Sequence, residues 1–116
     1  MEVMKTLLAL FLITLPAQAA IDCKAMRLNQ RGGYSEAPLK VGTDRPDLYT
    51  ASVKIEDAYF RIQGMLERNR YSLTIYLDDP QPEGTAFLTD GAFDGDGYMR
   101  ISAVRGQITY KMVCRQ

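Results

Sequence analysis

Tyr71-Ser72-Leu73-Thr74-Ile75-Tyr76-Leu77 alternates large apolar residues with polar ones at every second position. A β-strand places alternate side chains on opposite faces, so this run reads as a strand with Tyr71, Leu73, Ile75 and Leu77 turned inward. The preceding segment, Ala58 to Leu66, is ambiguous alone. Ile55, Tyr59, Ile62 and Leu66 would share one face of a helix, whereas Phe60, Ile62 and Leu66 would share one face of a strand. Gly64 weakens the helix, and a strand here can pair with 71–77 across a turn at Glu67 to Arg70. In that hairpin Ile62 lies opposite Ile75 and Phe60 opposite Leu77. Arg61 then faces Tyr76 and Gln63 faces Thr74 on the outer side.

The same period extends outward in both directions. Ile21 to Leu28 and Tyr49 to Ile55 alternate, with Glu56-Asp57 as a tight turn into the next strand. A short strand over Thr85 to Thr89 follows the proline-rich turn Asp78 to Gly84. Tyr98 to Val104 and Gln107 to Cys114 form a second hairpin across Arg105-Gly106. Residues 29–47 carry Gly32-Gly33, Pro38, Gly42 and Pro46 with few large apolar groups, and read as one long irregular loop. About seven short strands predict an all-β domain, a small antiparallel β-sandwich or partly closed barrel. The immunoglobulin pattern is excluded, because it packs a tryptophan against an internal disulfide and this chain has no tryptophan.

Cys23 and Cys114 are the only cysteines, and each falls on the apolar side of a terminal strand. They are expected to form a disulfide tying those strands together, worth on the order of 4–5 kcal/mol in the loop-closure treatment. A metal or redox pair would need close spacing or histidine ligands, and the chain has no histidine.

At the amino terminus an apolar run from Leu7 to Leu15 is followed by Pro16 and Ala17-Gln18-Ala19. The run is too short to span a bilayer and ends in a small-x-small triplet, so residues 1–19 are expected to be a cleaved bacterial export signal. Met4, followed by Lys5, makes a better start than the acidic Met1-Glu2. The mature chain would begin at Ala20, with Asp22 beside Cys23 arguing against a lipid anchor, and would be periplasmic or secreted. Its 97 residues suffice for one domain, residues 20–116. They carry thirteen acids and thirteen bases, which argues against nucleic acid as a bulk partner. No basic amphipathic segment points to a membrane surface, and no cofactor is implied.

No motif names a reaction. Without histidine and with both cysteines bridged, Ser-His and Cys-His nucleophile pairs are excluded, leaving a carboxylate-based hydrolase as the one enzymatic alternative. Asp90-Gly91-Ala92-Phe93-Asp94-Gly95-Asp96-Gly97 has spaced carboxylates and glycines suited to calcium, with Asp90, Asp94 and Asp96 as ligands of a calcium-stabilised structural module. It departs from the EF-hand pattern, since Ala92 occupies the first ligand position and Ala103 the bidentate one. Turn formation explains the same residues, because Asp and Gly both tolerate left-handed backbone.

Two surfaces are candidates for binding. One is the outer face of the first hairpin, where Tyr59, Arg61 and Tyr76 project together; the other is Arg31 and Tyr34 on the 29–47 segment. The chain is therefore expected to be a monomeric, non-enzymatic binding module whose partner is a protein or glycan, an inhibitor of a foreign envelope-attacking enzyme being one form.

Overall fold

The computed structural model describes residues 21–77 and 85–116. The export signal expected over residues 1–19 and the turn expected over 78–84 lie outside the described residues. Nine strands are present among those described: β1 Asp22–Asn29, β2 Gly33–Pro38, β3 Lys40–Arg45, β4 Leu48–Ile55, β5 Ala58–Met65, β6 Arg70–Leu77, β7 Thr85–Gly91, β8 Tyr98–Arg105 and β9 Ile108–Arg115. They form two antiparallel sheets, ordered β2-β1-β9-β8 and β3-β4-β5-β6-β7. The architecture is a β-sandwich. Its core lies between the sheets, where Phe60, Ile62, Leu73, Ile75 and Leu77 of the larger sheet and Tyr110, Met112 and Cys114 of the smaller are all fully buried. Each such side chain contributes roughly 1.5–3 kcal/mol by leaving water.

The segment 58–66 is a strand, not a helix, over Ala58–Met65. Its pairing with β6 differs from the expected register by two positions: Phe60 faces Ile75, Ile62 faces Leu73, and Arg61 faces Thr74 rather than Tyr76. The turn explains the shift. Leu66–Arg68 is a single 3-10 turn, and Asn69 closes it in the left-handed region at φ 50°, its N–H donating to the carbonyl of Leu66. Asparagine accepts that conformation more readily than most residues. A two-position slip preserves which residues face inward, so the hydrophobic pattern alone could not register it. The last hairpin shifts in the same way. Its two-residue turn is Gly106-Gln107, with Gly106 at φ 65° and Arg105 opposite Ile108.

The 29–47 segment is not one irregular loop. Only a short turn follows Asn29; the chain then runs as β2 on the edge of one sheet, passes Leu39, and continues as β3 on the edge of the other. Both strands are largely exposed, so their order comes from backbone ladders to β1 and β4. A sheet-switching strand of this kind forms a corner between layers. Its few inward groups, Ala37 and Leu39, pack against the core margin.

Cys23 and Cys114 are bonded, with Cα atoms 4.0 Å apart. They are directly opposite on β1 and β9, the two central strands of the smaller sheet. The Cys23 carbonyl accepts from the Leu39 N–H on the other side of β1, so Cys23 and Cys114 form a non-hydrogen-bonded pair, the closer of the two antiparallel pairings. The bridge therefore joins neighbours within one sheet. It does not staple the two layers.

Candidate functional site

On the outer side of the larger sheet, cross-strand pairing sets side chains in rows. One row runs Lys40, Ser52, Arg61, Thr74, Leu88; the next runs Thr43, Thr50, Gln63, Ser72, Asp90. Beyond them Lys54, Tyr59, Tyr76 and Ala86 make a third. The middle of β5, β6 and β7 forms a shallow depression of about 580 Å³, lined by Arg61, Gln63, Arg70, Ser72, Tyr76 and Asp90 among others. The floor is a ladder of hydroxyls and amides, and Thr74 at its centre is buried.

Tyr59, Arg61 and Tyr76 share this face, as their alternation implies. Tyr59 and Tyr76 are direct cross-strand partners with ring centroids 5.8 Å apart. Arg61 is the diagonal neighbour of Tyr76: its Nη2 donates to the tyrosine hydroxyl at 3.0 Å, and its guanidinium sits 5.5 Å from the ring centroid. The contact steadies the sheet and also fixes the arginine. Among the described residues, this is the hydrogen bond that the guanidinium makes, through one of its five N–H donors.

Asp90 belongs to this face too. Strand β7 continues through Gly91, which places Asp90 opposite Ser72, whose hydroxyl donates to its carboxylate. The continuing alternation Ala86, Leu88, Asp90 is the sequence signal that would have placed it there. Asp94 lies beyond the strand end and is engaged differently. Its Oδ1 accepts from the backbone N–H groups of Asp96 and Tyr98 at 2.9 Å each, and its Oδ2 from Arg100 at 3.4 Å. The Tyr98 N–H bond is the main cause holding its carboxyl below the usual range. Phe93 anchors the same loop, edge-on to the buried Tyr71 ring at 5.0 Å. Among the described residues, no three acidic side chains gather as a metal cage would require.

Arg31 and Tyr34 are on the other side of the sandwich. Tyr34 is on β2 opposite Leu28, on the outer face of the smaller sheet, and is 57% exposed. Its hydroxyl donates to Glu36 at 2.5 Å, which raises the tyrosine pKa and lowers that of the carboxyl. Arg31 sits in the β1–β2 turn and donates from Nε to Gln107 at 2.7 Å. The two candidate patches are thus separate.

A cluster unrecognised in the sequence ties the layers. Asp57, in the β4–β5 turn, accepts from Arg27 Nε at 2.9 Å, from the Tyr110 hydroxyl at 2.8 Å and from Arg105 Nη2 at 3.5 Å. Burial pushes its carboxyl up, but the Arg27 and Tyr110 hydrogen bonds outweigh that and hold it below the ordinary value. These partners come from β1, β8 and β9 of the smaller sheet, so one turn of the larger sheet is clasped by three strands of its neighbour.

No protein-family model, curated protein or solved structure matches this chain. Among the described residues no helix is long and apolar enough to cross a membrane.

Proposed function

We propose that this protein is an exported, non-enzymatic binding module of the cell envelope or its exterior, acting as a monomer, and that it recognises a glycan or protein through the outer face of the larger sheet. The observation that carries this reading is the depression over β5, β6 and β7, where a pre-positioned arginine, Tyr76 backed by Tyr59, and a row of hydroxyl and amide groups share one rigid surface. Rigid strands hold such groups at low entropic cost, which favours binding. Export is supported by the signal-like residues 17–19 and by the formed disulfide, a bond that persists in oxidising compartments. A binding role rather than catalysis is supported by the lack of histidine and of any free cysteine.

The test challenges immobilised mature protein, wild type and Arg61→Ala/Tyr76→Ala, with a glycan array and an envelope extract. A ligand held by the wild type and weakened at least tenfold in the double variant is expected, with the two proteins sharing a urea midpoint within experimental error or the comparison repeated with Tyr59→Ala. Ligands retained equally by all three would remove this face from the function.

A further inference from the structure

The charges of this neutral chain are sorted by the fold. Most described acids occupy turns and strand ends: Asp44, Asp47, Glu56, Asp57, Glu67, Asp94 and Asp96. Among the described residues, the outer face of the larger sheet instead carries Lys40, Arg45, Lys54, Arg61 and Arg70 against one acid, Asp90. Arg45 pairs with Asp47 at 3.0 Å, but among the described residues Lys40, Lys54, Arg61 and Arg70 have no carboxylate within 4.0 Å. Among the described residues, bases scattered through the sequence are therefore gathered on one face, an asymmetry that net charge conceals.

We infer that the ligand of this face is a carboxylate-bearing glycan chain, its acid groups received by Arg61 and Arg70. The inference rests on the proposed binding role of the face. Arg70 is opposite Met65, four residues along β5 from Arg61, so the two arginines are anchored roughly 13 Å apart. Gln63 and Ser72 occupy the space between them and offer donors and acceptors suited to sugar hydroxyls. A guanidinium meets a carboxylate through two parallel hydrogen bonds, and the Tyr76 contact already holds Arg61 in place for this. The centre of the face is polar, with Met65 and Leu88 at its margin. Protein interfaces concentrate apolar anchors at the centre instead, so a glycan fits this surface better than a protein. Asp90 stands at the β7 side and repels an anion, which sets the sign of its substitution.

The experiment titrates the disulfide-bonded mature protein with oligosaccharides of galacturonate, mannuronate and glucuronate, with their carboxyl-reduced counterparts, and with oligo(dT), at low and moderate salt. At least one uronate oligomer is expected to bind, ten times or more above its reduced form, and to weaken as salt rises. Arg61→Gln/Arg70→Gln should weaken it at least tenfold, and Asp90→Asn should tighten it severalfold. Equal binding of acidic and reduced sugars, still sensitive to Arg61→Ala/Tyr76→Ala, overturns the acid preference while the binding face stands. Equal or tighter binding of oligo(dT) overturns it in favour of a nucleic acid. No uronate binding, with an envelope protein captured through this face, overturns it in favour of a protein; binding that no face variant alters overturns both readings.

Discussion

Asp57 is the residue on which most inter-sheet polar contacts converge. Arg27, with a side chain only 14% exposed, has its closer carboxylate partner here at 2.9 Å, the exposed Glu56 being at 3.5 Å, and Tyr110, fully buried, depends on Asp57 for its hydroxyl. Asp57→Asn keeps the shape and removes the charge, leaving the largely buried Arg27 with the longer 3.5 Å pairing to the exposed Glu56. The expected cost is about 1–3 kcal/mol, read as a lowered urea midpoint at pH 7. The pH dependence has a definite sign. Because the folded carboxyl is held below its unfolded value, the native state binds fewer protons, so its contribution is present above the unfolded carboxyl pKa of about 4 and is lost as pH falls through the folded value. Urea melts from pH 7 to pH 2.5 should show a steeper loss below pH 4 in the wild type than in Asp57→Asn. Parallel curves would mean that the clasp does not contribute. The site was hidden in the sequence because Glu56-Asp57 reads as an ordinary tight turn, and the arginines and tyrosine that meet it lie 30, 48 and 53 residues away.

At the scale of the element, the β5–β6 hairpin shows how backbone and side chain share the work of setting register. Gly64 faces Tyr71 across the strands, and a Cβ at Gly64 would meet the Arg70 carbonyl oxygen at 2.3 Å and the Tyr71 ring at 2.5 Å. The tyrosine covers the glycine, a pairing that pins the strands where they are. Gly64→Ala is therefore expected to cost about 1–3 kcal/mol or more, as overpacking does, despite the better strand propensity of alanine. The check is a urea melt alongside the Arg61 amide shift, since a forced register change would also disturb the binding face. An unchanged midpoint would show that the hairpin can slide. The strands β2 and β3 teach the complementary lesson. Period two is a signature of one face entering a core, and edge strands that bury almost nothing do not carry it.

For the whole molecule the disulfide closes 91 residues of sequence. Cys23→Ser/Cys114→Ser should cost roughly 2–5 kcal/mol, because the unfolded chain regains freedom and two hydroxyls replace buried sulfurs between central strands. Mass measurement with and without reductant, followed by urea melts of the double variant, checks this; an unchanged midpoint would remove the bridge from the stability of the fold. By itself the sequence determined the all-β class, the inward faces of the strands that alternate and the partnership of the cysteines, because alternation and cysteine placement are local or unique features of the chain. It also determined that Tyr59, Arg61 and Tyr76 point the same way, since a two-position slip leaves faces intact. Only the tertiary structure decided the register, the two edge strands, the Asp57 clasp and the union of Asp90 with Arg61, Arg70 and Ser72. Those depend on backbone hydrogen bonds and on contacts between segments far apart in the chain, for which residue order along one strand holds no period and no spacing.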